Sequence, residues 1–86
     1  MTFSSNGWDD YQYWLAADQK ILDRVNSIIR ETMRDPTGRS HKAEKLKGDL
    51  SGFSSKRINR EHRMVYRLRG SGADQVLEIL QLRFHY

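Results

Sequence analysis

From Gln19 to about Met33 the apolar residues fall at Ile21, Leu22, Val25, Ile28, Ile29 and Met33, the three- and four-residue spacing of a helix with one buried face. Lys20, Asp23, Arg24, Arg30 and Glu31 lie mostly outside that stripe. Asp18 stands where an N-cap belongs, and Pro36 where the helix must stop. Upstream, Trp8, Tyr11, Trp14 and Leu15 repeat at the same spacing and predict an earlier helix whose aromatic stripe faces the core. It is expected to open at Trp8-Asp9-Asp10-Tyr11 with Asn6 or Gly7 near its cap, so that two first-turn carboxylates complement the helix dipole. The short link at Ala17-Asp18 makes the two helices antiparallel, and residues 2 to 5 read as a short edge strand.

Beyond Pro36 comes a polar loop, Thr37 to Lys42, then Glu44-Lys45-Leu46-Lys47 and a turn at Gly48-Asp49. From there the period changes to alternation. Phe53 to Ile58, His62 to Arg69 and Gln75 to Tyr86 predict three strands joined by short connections, an antiparallel meander. In the middle strand Arg63, Val65, Arg67 and Arg69 share the basic face, opposite Met64, Tyr66 and Leu68. In the last, Val76, Leu80, Leu82, Phe84 and Tyr86 are assigned to the core side, and Leu77, Ile79, Gln81, Arg83 and His85 to the other. The fold class is α+β: two N-terminal helices packed on a twisted antiparallel sheet, one domain over residues 1 to 86. A chain of this length has material for one small core, burying about 60% of its unfolded surface.

Charge sharpens this picture. Residues 1 to 35 carry four Lys or Arg against six acids and residues 36 to 86 carry eleven against five, net −2 and +6, together the +4 of the whole chain. The second half is the candidate polyanion-binding half. There are no cysteines, which removes disulfides, thiolate zinc sites and a cysteine nucleophile. His41, His62 and His85 do not fall at metal-ligand spacings. No apolar run approaches the ~20 residues of a membrane span, and the N-terminus has no basic region followed by an apolar stretch; a cytoplasmic protein is expected.

RNA can be cleaved without metal if a base takes the proton of the ribose 2′-OH, an acid protonates the departing 5′ oxygen and a cation stabilises the phosphorane-like transition state. Glu44, His85 and Arg63 can fill these roles in that order. Residue types alone leave ordinary alternatives open: Glu44 a surface carboxylate among Lys42, Lys45 and Lys47, Arg63 a strand-face solubiliser, His85 a frayed end. The close on Arg83-Phe84-His85-Tyr86, with no polar tail after the strand, reads as an end placed for use.

Three segments carry a family resemblance: GWDDYQYW at residues 7 to 14, EKLKGDLSGFSSKRINREHRMVYRL at 44 to 68, and RFHY at 83 to 86. They resemble the YoeB branch of the RelE-type toxins, whose pattern runs WDDYxYW, ExLK, LSGFWSRRIxxEHRLVY and RYHY, in the same order with near-equal spacing across nearly the whole chain. The resemblance implies a RelE-like microbial RNase fold and a type II toxin that cleaves mRNA in the ribosomal A site without a cofactor. It assigns Glu44 as general base, Arg63 as transition-state cation and His85 and Tyr86 as catalytic, with Lys47 and Arg57 as phosphate contacts and Arg83 adding to the same surface. For Tyr86 three roles stay open: stacking on a nucleobase, which is preferred, a hydroxyl bond to phosphate, or orientation of His85 by a terminal carboxylate. The resemblance also implies a Phd/YefM-type antitoxin as partner, ribosome and mRNA as targets, and homodimerisation.

Three positions depart from the pattern. Ser54 stands where the family commonly has tryptophan, Lys56 replaces the first arginine of a pair, and Phe84 replaces a tyrosine. The missing indole is expected to alter packing beneath the site or a base-stacking contact, and Phe84 is expected in the core. Rival readings are a non-catalytic nucleic-acid-binding module, a ParE-like gyrase inhibitor of the same fold, and a ribonuclease acting on naked RNA. ParE-type relatives generally lack the Glu, Arg and terminal His-Tyr set.

Overall fold

The computed structural model describes residues 1–35 and 42–84. Strand β1 (Thr2–Phe3) leads into helices α1 (Ser5–Ala17) and α2 (Gln19–Arg34), followed by strands β2 (Glu44–Lys45), β3 (Ser54–Arg57), β4 (Arg63–Arg69) and β5 (Val76–Gln81). The five strands form one sheet in the order β1-β5-β4-β3-β2. The β2 to β5 pairings are antiparallel, as expected of the meander, whereas β1 adds to the edge of β5 in parallel, making the sheet mixed. Among the described residues no helix is long and apolar enough to cross a membrane.

Helix α2 follows its hydrophobic pattern closely. Asp18 accepts from the N–H groups of Lys20 and Ile21, satisfying two donors that no helical carbonyl can reach. Leu22, Val25, Ile28 and Ile29 are buried, and the fourth turn buries Thr32 while leaving Met33 exposed. Helix α1 departs more. It is capped by Ser4, earlier than Asn6 or Gly7, because the Ser4 hydroxyl accepts from Gly7 N–H and donates to the Leu80 carbonyl. That start takes Asp9 and Asp10 out of the first turn. Trp14 is buried, but Trp8 and Leu15 are exposed. The aromatic stripe therefore faces the core only in part; Trp8, Tyr11 and Phe3 form a ring cluster at the β1 edge.

Helix α1 sits against β5 at backbone distance. A Cβ on Gly7 would lie 2.4 Å from the Ile79 carbonyl oxygen, so only glycine permits the approach.

The face assignment in the last strand is corrected. Val65 pairs with Gln81 and Tyr66 with Ile79, leaving Leu80 as an extra residue at a bulge. Such an insertion reverses side-chain parity beyond it. Leu77 and Ile79 pack in the main cluster before the bulge and Leu82 after it, together with Trp14, the α2 stripe, Ile58, Met64 and Tyr66. Regular pairing also ends at Gln81, and residues 82 to 84 form bends. Phe84 consequently leaves the core, 58% exposed at a positive φ of 62°.

Lys56 is wholly buried on the helix side. Its amine donates to the Thr32 hydroxyl at 2.7 Å, and that hydroxyl donates in turn to the Ile28 carbonyl. Burial pushes the Lys56 amine below its ordinary value, partly opposed by Asp35 and Glu31.

Candidate active site

Strand register brings the sequence candidates together. Glu44 pairs with Ser55, Ser55 with Val65, and Arg57 with Arg63. Directly paired residues share a face and alternate residues return to it, so Glu44, Ser55, Arg57 and Arg63 all project from the side away from the helices. The Arg63 guanidinium contacts Glu44 Oε1 at 3.2 Å and donates through Nε to Ser55 Oγ at 3.0 Å. A planar donor fork held at two points has one orientation. The Arg63 side chain is only 14% exposed and that of Glu44 60%: a fixed cation below, a carboxylate reachable by an incoming molecule above.

Arg63 also meets the last described segment of the chain, its backbone N–H donating to the Phe84 carbonyl at 3.2 Å. Side chains hold the rest of that segment. Asp10 accepts from Leu82 N–H at 2.9 Å, Trp14 Nε1–H donates to the Leu82 carbonyl at 3.0 Å, and His62 Nδ1 accepts from Phe84 N–H at 2.8 Å. The His62 ring stands edge-on to Trp14, with centroids 4.8 Å apart. His85 and Tyr86 lie outside the described residues, as do Pro36 to His41.

The remaining candidates are distributed around this point. Arg57 is exposed, its Nε donating to the Asn59 carbonyl at 3.3 Å. Lys47 is exposed just before the short turn Gly48–Leu50. Arg83 lies against helix α1, its guanidinium 3.6 Å from the Tyr13 ring centroid and 4.7 Å from that of Phe84. The basic face is also less uniform than alternation suggested. Arg67 and Arg69 both pair with Glu78 of the neighbouring strand, and Val65 is buried on that same face.

Sequence reasoning missed Ser55, Asp10, Trp14 and His62 as parts of this arrangement. Ser55 was recoverable from alternation once Glu44 was placed on a paired strand. The others act over long sequence separations and left no local signal. At Ser54, where the family pattern has tryptophan, the hydroxyl hydrogen-bonds the Tyr66 phenol, beside an open groove lined by Lys45, Gly52, Ser54, Tyr66 and Leu68.

Comparison with known proteins bears on the family and the fold. Residues 3–86 match the family described as YoeB-like toxin of bacterial type II toxin-antitoxin system. The chain is 45% identical to Toxin YoeB of Streptomyces coelicolor, over all of this chain and 98% of that one. It is 42% identical to Toxin YoeB of Escherichia coli K12 with the same coverage. A YoeB/ParE toxin from Agrobacterium tumefaciens superposes with a TM-score of 0.93 at 45% identity, covering 99% of this chain and 97% of that one. The YoeB-YefM complex from Staphylococcus aureus gives 0.87 at 34% identity, covering 99% and 94%. With a full-length family match, relatives above 40% identity and the same fold, this chain belongs to the YoeB-like toxins of bacterial type II toxin-antitoxin systems.

Proposed function

We propose that this toxin is a ribosome-dependent endoribonuclease that cleaves mRNA in the ribosomal A site by metal-independent general acid–base catalysis. The observation that carries the reading is the convergence of Glu44, Ser55 and Arg63 on one sheet face, with the backbone of Phe84, the residue before His85, bonded to Arg63. In this mechanism Glu44 removes the 2′-OH proton and the ribose oxygen attacks phosphorus. The bond to the 5′ oxygen breaks as His85 protonates that leaving group, giving a 2′,3′-cyclic phosphate and a 5′-hydroxyl. Arg63 neutralises the charge that develops on the phosphoryl oxygens. Lys47, Arg57 and Arg83 contact RNA phosphates, and Tyr86 stacks on a nucleobase. The Glu44 carboxylate is exposed beside the nearly buried Arg63, which suits an enzyme whose substrate is held by the ribosome.

The proposed restraint is a YefM-type antitoxin, in keeping with the YoeB-YefM complexes known from Staphylococcus aureus, where a YoeB dimer also occurs. An acidic antitoxin segment complements the net positive second half of the chain. The toxin acts in the cytoplasm, where translating ribosomes are.

The test is cleavage of a defined mRNA on translating ribosomes by the parent, Glu44→Ala and His85→Ala. Codon-periodic cuts that fall by roughly 10²-fold or more in each variant are expected; equal rates in all three would remove the assigned roles. Omitting ribosomes separates this reading from a nuclease active on naked RNA.

A further inference from the structure

We propose that His62 is a positioning residue for the terminal active-site segment, acting as the acceptor that fixes the peptide N–H of Phe84 within a clamp completed by Asp10 and Trp14. This inference rests on the nuclease reading for its effect on catalysis, though not for the clamp itself.

Regular pairing ends at Gln81. A strand that stops early loses the ladder that would orient its last residues, and a chain end without such ties is ordinarily mobile. Here side chains replace the ladder. Asp10 and Trp14, one turn apart on α1, take the N–H and the carbonyl of Leu82. His62 takes the N–H of Phe84, and the next residue along, Arg63, bonds the Phe84 carbonyl through its own N–H. Both backbone groups of Leu82 and both of Phe84 are thus held, and the second pair is held by adjacent residues of which one is the proposed transition-state cation. The segment that delivers His85 is thereby tied to the same two-residue unit that carries the Arg63 guanidinium. In this arrangement a shift of the Phe84 peptide relative to Arg63 requires breaking the His62 contact.

The imidazole is itself prevented from turning. It is buried, set edge-on against Trp14, and its backbone is locked by a tight turn: Ile58 and Asn59 N–H both donate to the His62 carbonyl, while the Asn59 side chain accepts from the N–H of Glu61 and His62. With Nδ1 accepting, the ring is the neutral tautomer that carries its proton on Nε2. Catalytic groups must be held to within a fraction of an ångström, and losses of 10²-fold follow from displacements of about 1 Å.

His62→Asn and His62→Phe separate this role from packing. Asparagine can present Oδ1 near the position of Nδ1, whereas phenylalanine fills the ring's place against Trp14 and accepts nothing. Three readouts apply: solvent exchange of the Phe84 amide by NMR, kcat and KM for ribosomal cleavage, and melting temperature. Expected are a protected Phe84 amide in the parent and in His62→Asn, with cleavage within about threefold of each other. In His62→Phe that amide should exchange at least tenfold faster and kcat fall at least tenfold with KM unchanged. If phenylalanine unfolds the chain, His62→Leu, a smaller apolar side chain that likewise accepts nothing from the Phe84 N–H, takes its place with the same amide-exchange readout. A His62→Phe protein with a protected Phe84 amide and parental kcat overturns the inference, as does His62→Asn behaving like His62→Phe. If the parent cuts no mRNA, the nuclease reading fails, and the amide exchange still decides the clamp.

Discussion

The amine of Lys56 donates to the hydroxyl of Thr32 at 2.7 Å inside the core, joining strand β3 to helix α2. The phenol of Tyr66 lies nearby, with the amine 5.6 Å from its ring centroid. A lysine is seldom this deeply buried, and the contact gives the toxin a stability term that depends on pH.

Burial lowers the Lys56 amine from its ordinary 10.5, the Asp35 and Glu31 carboxylates opposing this in part. The folded chain therefore releases this proton at lower pH than the unfolded chain, unfolding takes a proton up in the interval between, and stability rises with pH there until 10.5 is reached. Tyr66 acts in the other direction: burial raises its phenol from 10.0 despite the Ser54 hydrogen bond, so stability falls once the unfolded phenol ionises. Urea titrations carried up through the alkaline range but kept below the 10.0 at which the unfolded phenol ionises isolate the lysine. The parent should gain stability relative to Lys56→Met as pH rises toward that limit; parallel pH curves would mean that burial does not lower the amine.

Gly7→Ala should destabilise the fold by about 1–3 kcal/mol, because the added methyl meets the fixed Ile79 carbonyl and α1 must shift off β5. Chemical denaturation measures this directly. A loss below about 0.5 kcal/mol would indicate that the helix can retreat without disturbing the sheet.

Arg63→Lys preserves charge but removes the planar fork that spans Ser55 and Glu44. Ribosomal cleavage is expected to fall by roughly 10²-fold, the scale of losing one preorganised transition-state donor. Stability should fall by about 1–3 kcal/mol, since Arg63 is nearly buried and its Ser55 partner fully so, leaving the Ser55 hydroxyl without this donor. Parental cleavage by this variant would reduce Arg63 to a point charge.

Ser54→Trp restores the family residue beside an open groove lined by Lys45, Gly52, Tyr66 and Leu68. The indole should be accommodated, with stability within about 1 kcal/mol of the parent, because apolar burial offsets the lost Tyr66 hydrogen bond. A severe loss in a melting experiment would show the groove to be closed to a large ring.

Helix α2 and strand β4 were legible in the chain because their patterns are local: a 3.6-residue stripe opened by Asp18, and an alternation from Arg63 to Arg69 broken only at Val65. The last strand was not, since one unpaired residue at Leu80 reverses every later side chain and leaves no mark in composition. Glu44 and Arg63 were found by residue type and motif, yet type alone left each an ordinary surface alternative.

By itself the sequence determined the two helices, the meander, the basic second half and the identities of the candidate acid, base and cation, because helix and strand periods, caps and side-chain chemistry are written within a few residues of one another. Only the tertiary structure decided which groups meet. Strand register set Glu44 on Arg63, the end of regular pairing at Gln81 let Phe84 leave the core, and the bonds from Asp10, Trp14 and His62 to the terminal segment join residues far apart along the chain. Such contacts exist only after loops close and faces pack, so no local pattern could have announced them.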